Sequence, residues 1–179
     1  MCVYIYNITY NNWLVRYSNR ITFILNMYTR EQASQLRQVF WTTLGQYLAP
    51  IPSAEGLKVN WLNYKTSLKN VFFRMQADNK IASIAIAITH PDTEIQQIFF
   101  EQFQALKIVL EDTMGEQWEW ALHATDENYQ IITRIYKEIS PVNIFNQEDW
   151  PTLISFFKTR IIALDQFWSN AQYSFDELR

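Results

Sequence analysis

The stretch LKVNWLNYKTSLKNVFFRMQADNKIASIAIAITH, Leu57 to His90, decides the fold. From Val71 to Asp78 it alternates, with Val71, Phe73, Met75 and Ala77 set against Phe72, Arg74, Gln76 and Asp78. Successive side chains leave opposite faces of a pleat, so this period of two predicts a half-buried strand. Asp78-Asn79-Lys80 supplies turn chemistry, because Asn and Asp bond their own backbone and tolerate positive φ. Ile81 to Thr89 predicts the next strand. Ile84, Ile86 and Ile88 form one face; Ser83, Ala85, Ala87 and Thr89 form the other. That second face is small rather than polar, which predicts a central strand covered on both sides. Leu57, Val59 and Trp61 also alternate and predict an earlier strand over about Leu57 to Tyr64. Short-range pairing makes an antiparallel meander the economical topology.

Helices flank this block. Thr29 and Gln32 have capping-box spacing, and Ala33, Leu36, Phe40, Leu44 and Tyr47 form an apolar stripe, so a helix is predicted over about Arg30 to Leu48. Gly45 within it costs about 1 kcal/mol relative to Ala and marks a close approach to a neighbour. Pro50 and Pro52 stop it. Asp92 and Glu94 open a second helix carrying Ile95, Ile98, Phe99, Phe103, Leu106 and Leu110, and Gly115 ends it. Trp118, Trp120 and Leu122, then Ile131, Thr133 and Ile135, predict a second hairpin turned at Asp126. The last helix is predicted from about Asp149 to Ala171. Its stripe of Trp150, Leu153, Phe157, Ile161, Leu164 and Trp168 is widened by Phe156, Ile162 and Phe167. So broad a stripe is either deeply buried or half of a self-association interface. The expected fold is α+β, in the order α-β-β-β-α-β-β-α: a mainly antiparallel meander sheet covered by three helices. That order also resembles restriction-endonuclease-like topologies, without their active site.

The chain has 179 residues, 49% hydrophobic and 16% aromatic, with 3 Gly and 5 Pro. That suits one domain with a sizeable core. Net charge is -3, which disfavours a wholly basic nucleic-acid coat but does not exclude a basic patch. A single cysteine, Cys2, permits no internal disulfide and no cysteine zinc cluster, and fits a reducing cytoplasm. No apolar run is long enough to predict a membrane span. Residues 1–26 stand apart. They are rich in Tyr, Asn and Ile, contain no acid and lack a signal-peptide layout. Val3 to Tyr10 alternates like an edge strand, but these residue types have AT-rich codons. We therefore read 1–26 as translated upstream sequence and 27–179 as the domain.

Several segments together carry a family resemblance: YTREQASQLRQVFWTTLGQYL, PSAEGLKVNWLNYKT, VFFRMQADNKIASIAIAITHPD, WEWALH, RIYKE, NIFNQEDWP and RIIALDQFW. In series they resemble the domain of unknown function 4268 family, from about Met27 to the C-terminus. The resemblance implies a bacterial, cytoplasmic protein. Relatives attached to nuclease-like domains imply a nucleic-acid context. It implies no activity and carries over no functional residue.

The reactive constellations are sparse. A restriction-type nuclease needs an acid on one strand and Asp/Glu-x-Lys on the next, to hold Mg²⁺ beside a lysine. Asp78-Asn79-Lys80 has the letters, but it falls in a turn, and Asp92 follows rather than precedes it. A turn and a helix cap explain both. His90, Asp92 and Glu94, with His123 far away, are too few for a zinc set, so no metal or cofactor is expected. No nucleophile elbow and no glycine-rich phosphate loop is present. Trp41, Trp118, Trp120, Trp150 and Trp168 read as core. The remaining candidate is a basic-aromatic face: Lys58, Lys65, Lys69, Arg74 and Lys80 interleaved with Trp61, Tyr64 and Phe72. Lysines neutralise phosphates and rings stack on bases; a lysine-guarded sheet edge is the bland alternative. Acids from Glu94 to Glu119 gather around the second helix with only Lys107 among them. That would suit complementary pairing in a dimer. The expectation is a non-enzymatic binding domain, contacting nucleic acid through a basic hairpin and self-associating through its last helix. The alternative is a degenerate or active metal-dependent nuclease.

Overall fold

The computed structural model describes residues 28–126 and 128–178. The reading of 1–26, the Val3–Tyr10 strand and Cys2 therefore lie outside the described residues. Helix α1 (Arg30–Leu48) leads to a long loop and then to strands β1 (Val71–Ala77) and β2 (Ala82–Ile88). Helices α2 (Thr93–Ala105) and α3 (Lys107–Met114) follow, then β3 (Glu119–Thr125), β4 (Ile131–Ile139) and α4 (Trp150–Ala171). The class is α+β, with one four-stranded antiparallel sheet in the order β1-β2-β4-β3.

The order differs from expectation in three places. Leu57–Tyr64 is not a strand: Trp61–Asn63 is a turn of 3₁₀ helix, capped by the Asn60 side chain accepting from the Asn63 amide at 3.2 Å. The second helix is broken at Leu106 (φ -99°, ψ 7°), so four helices replace three. The sheet is not a simple meander, because β2 pairs with β4 rather than with β3.

Local signals explain most of the rest. The capping box at Thr29 forms in both directions, at 3.0 and 3.2 Å. Asp78 Oδ1 accepts from the Lys80 and Ile81 amides at 2.6 and 2.8 Å and closes the β1–β2 turn. Asp126 Oδ1 closes the β3–β4 turn by accepting from Asn128 and Gln130, and these bonds hold its carboxyl below the usual range. Gly115 caps α3 at φ 67°, in the left-handed region that glycine enters freely. β3 carries a bulge between Ala121 and Ala124, where His123 adopts φ 53°.

The register sorts the sheet's faces. Val71, Phe73, Ile84, Ile86, Ile135 and Trp120 share one face. It meets the helices: Phe73 packs edge-on to Trp168 of α4, and Trp120 edge-on to Phe100 of α2. Gln96 of α2, fully buried, ties this layer to the sheet. Its amide donates to the Ile131 and His90 carbonyls, and its oxygen accepts from Thr133 Oγ1 at 2.9 Å.

The opposite face carries the small residues of β2. Cross-strand rows run Phe72–Ala87–Arg134–Ala121 and Arg74–Ala85–Tyr136–Glu119. Arg37 and Trp41 of α1 border a cleft with Gln76, Ser83, Arg134 and Glu138 of this face. Ser83 and Ala87 are buried on this face as Ile84, Ile86 and Ile88 are on the other, so β2 is a central strand covered on both sides, as expected. Arg74 lies over the Phe72 ring at 4.8 Å and Arg134 over Tyr136 at 4.0 Å.

The broad stripe of α4 takes the buried alternative. Leu153, Phe156, Phe157, Ile161, Leu164, Phe167 and Trp168 are all buried within the domain. Thr152, Ser155, Thr159, Gln166 and Asn170 face solvent, so the outward strip is polar. The acidic region is also partly compensated internally. Glu116 takes a two-pronged bond from Arg160 at 2.7 and 2.8 Å, and Glu111 pairs with Lys107.

Gly45 makes its expected close approach: a Cβ there would lie 3.0 Å from Leu62 Cδ1. Leu62 is 40% exposed, so its side chain can swing aside. Gly45→Ala should therefore gain most of the helix propensity difference, about 0.5–1 kcal/mol. A thermal melt checks this, and a lowered midpoint would mean that Leu62 is fixed. No helix of the described residues is long and apolar enough to cross a membrane.

Candidate ligand cleft

The loop from Ala49 to Asn70 has little regular structure, yet it is fixed at many points. Ser53 makes a tight turn: Gly56 N–H donates to its carbonyl, and its own N–H donates to Leu57 O, both at 2.8 Å. Gly56 has φ 76°, which the turn requires. Trp61 Nε1 donates to Ile51 O at 3.0 Å. Thr66 Oγ1 donates to Val71 O at 2.7 Å, and Trp168 Nε1 donates to Thr66 O at 3.1 Å.

Asp165 of α4 ties the loop down twice. Its Oδ2 accepts from the Ala54 amide at 2.6 Å, and its Oδ1 accepts from the Tyr64 hydroxyl at 2.7 Å. Tyr64 in turn stacks on Phe73 of β1, with ring centroids 5.0 Å apart. Burial, reinforced by the neighbouring Asp165 carboxylate, pushes the Tyr64 phenol far above its ordinary range. The hydroxyl therefore stays protonated and donating at physiological pH. Asp165 is 3% exposed and has no ion pair among the described residues.

Between loop and helix lies a cleft of about 420 Å³, within the range of small-molecule sites. The loop contributes Ser53, Lys58, Asn60, Asn63, Lys65 and Ser67 to its lining. The helical side contributes Asp165, Trp168, Ser169 and Gln172. The lining is thus mixed: Leu57, Val59, Tyr64 and Trp168 supply apolar surface, and two lysines stand with two carboxylates, exposed Glu55 and buried Asp165.

The residues singled out by sequence divide. Lys58, Tyr64 and Lys65 come together on this cleft. Trp61 is 3% exposed and belongs to the core. Lys69 is exposed in the turn before β1, and Lys80 is exposed in the turn after it. The strand puts roughly 20 Å between those two turns. Arg74 projects from the face of the sheet opposite Phe73 and Trp120. None of the five cations forms an ion pair among the described residues. Trp118 and Trp168 are buried, and Trp41, Trp120 and Trp150 pack against the core. Asp165 was missed. The available signal was an acid within the apolar stripe, three residues from Trp168 and four from Ile161.

The nuclease and metal candidates are engaged locally. Asp78 closes its turn, while Asp92 Oδ1 accepts from the Glu94 amide at 2.8 Å and caps α2. His123 Nε2 lies 3.0 Å from Thr93 O. Among the described residues no group of three or more His, Cys, Asp or Glu is placed to share a metal ion.

Fold and cleft together define an α+β domain with a cleft of mixed lining walled by a long loop and its last long helix. The model of the family described as Domain of unknown function (DUF4268) matches residues 36–172, and the chain belongs to that family. No curated protein and no solved structure matches the chain.

Proposed function

We propose that this is a non-enzymatic binding domain that holds a nucleic-acid strand by its phosphates along the Lys58–Lys65 cleft. One observation supports this reading above others: Lys58 and Lys65 border the cleft on a fixed loop and neither forms an ion pair among the described residues, although Glu55 lies on the same rim. Lys69, exposed four residues beyond Lys65, extends the positive edge toward β1. Trp61 is buried and Tyr64 is stacked on Phe73, so these rings are not free to stack on bases. The contact is then mainly electrostatic. With three phosphates neutralised, the logarithm of affinity should fall with the logarithm of salt at a slope of about -2.

Fluorescence anisotropy with a labelled single strand tests this across salt concentrations. The Lys58→Glu, Lys65→Glu double variant should bind at least about tenfold more weakly. Unchanged affinity in the variant, or no binding by the natural protein at low salt, would remove the proposal. Cleavage of the strand with Mg²⁺ or Mn²⁺ would put the nuclease reading in its place.

A further inference from the structure

We infer that the cleft reads the base as well as the phosphate, with Asp165 receiving the paired N–H donors of a guanine's Watson–Crick edge. This inference rests on the nucleic-acid reading above. It starts from the incompleteness of Asp165. An ionised carboxylate offers about four acceptor positions. The Ala54 amide occupies one on Oδ2 and the Tyr64 hydroxyl one on Oδ1, which leaves each oxygen a further position. Both present partners are neutral, and no cation compensates the buried charge. Tyr64 keeps its proton and donates it to Asp165, so it adds no second negative charge to the site.

The cleft is also polarised. Lys58 and Lys65 stand exposed on the loop and outnumber its one carboxylate, Glu55, whereas Asp165 is buried on the α4 side. A ligand suited to both ends carries an anion at one end and hydrogen-bond donors at the other. A nucleotide has that layout. The bases then separate by their donors. Guanine presents N1–H and an N2 amine side by side, spaced for two carboxylate oxygens. Thymine presents one N–H between two carbonyls, which a carboxylate repels.

The test compares an all-thymine strand with the same strand carrying one central guanine, on the natural protein. The guanine strand should bind about tenfold tighter. Inosine in its place removes only the N2 amine and should abolish most of that preference. Asp165→Asn should bind the two strands alike, and a retained guanine preference in it would overturn the assignment to Asp165. Equal affinity for the thymine and guanine strands on the natural protein would overturn this inference and leave the phosphate reading intact. Binding of neither strand would overturn both.

Discussion

Trp168→Ala should be the most damaging single substitution in the cleft wall, costing about 3–5 kcal/mol. The indole is 2% exposed. Its ring meets Phe73 of β1, Phe103 of α2 and Phe175 of the C-terminal 3₁₀ segment, at centroid distances of 5.9, 6.1 and 5.3 Å. Its Nε1 donates to Thr66 O. One side chain thus joins sheet, two helices and the loop. Removal leaves a cavity bordered by rings that cannot collapse together, and orphans a carbonyl in a buried residue. A typical domain has about 5–15 kcal/mol of stability in total. The thermal midpoint should drop by roughly 10 °C or more, with loss of near-ultraviolet circular dichroism. Trp168→Phe keeps much of the apolar area and should cost far less. A midpoint within about 2 °C of the natural protein for the alanine variant would contradict this packing.

The second large effect is expected at Asp165. Asp165→Ala deprives the Tyr64 hydroxyl and the Ala54 amide of a charged acceptor, a loss of about 2–3 kcal/mol. Tyr64→Phe should cost about half as much, because the carboxylate keeps the amide. The pair also predicts an alkaline limit. The native phenol holds its proton more tightly than the unfolded chain, whose tyrosines titrate near 10. Below about pH 10 the contribution is fully present. As pH rises beyond that, the unfolded state releases protons that the native state retains, and stability declines. Urea denaturation from neutral pH to about pH 11 should show that decline in the natural protein and a shallower one in Tyr64→Phe. Parallel slopes in the two proteins would mean that Tyr64 is not the group responsible.

Much of this architecture was legible in the residues because it rests on short-range rules. The alternation of Val71–Ala77 and Ala82–Ile88 is the observed register, and Asp78, Thr29, Asp92 and Gly115 do what their positions predict. The failures share a cause. Leu57, Val59 and Trp61 alternate like a strand, but Trp61 is claimed by Ile51 O and Tyr64 by Phe73 and Asp165. Those tertiary contacts override the local pattern. The smallness of Ser83 and Ala87 predicted a strand covered on both sides, and that one long-range inference holds, since β2 is central and buried on both faces. The cleft was invisible because its floor comes from residue 165 and its walls from the fifties and sixties. Periodicity carries no information about such a meeting.

The span of the Asp165 ties has a consequence for biosynthesis. The bonded groups are 111 and 101 residues apart along the chain. At ribosomal rates of about 5–20 residues per second, Ala54 emerges on the order of ten seconds before its acceptor. During that interval the β1–β2 hairpin can pair, but its Ile84–Ile86–Ile88 surface lacks α4 and the neighbouring loop has no anchor. A nascent chain at this stage exposes apolar strand, so chaperone dependence should be read out on stalled chains that end before α4.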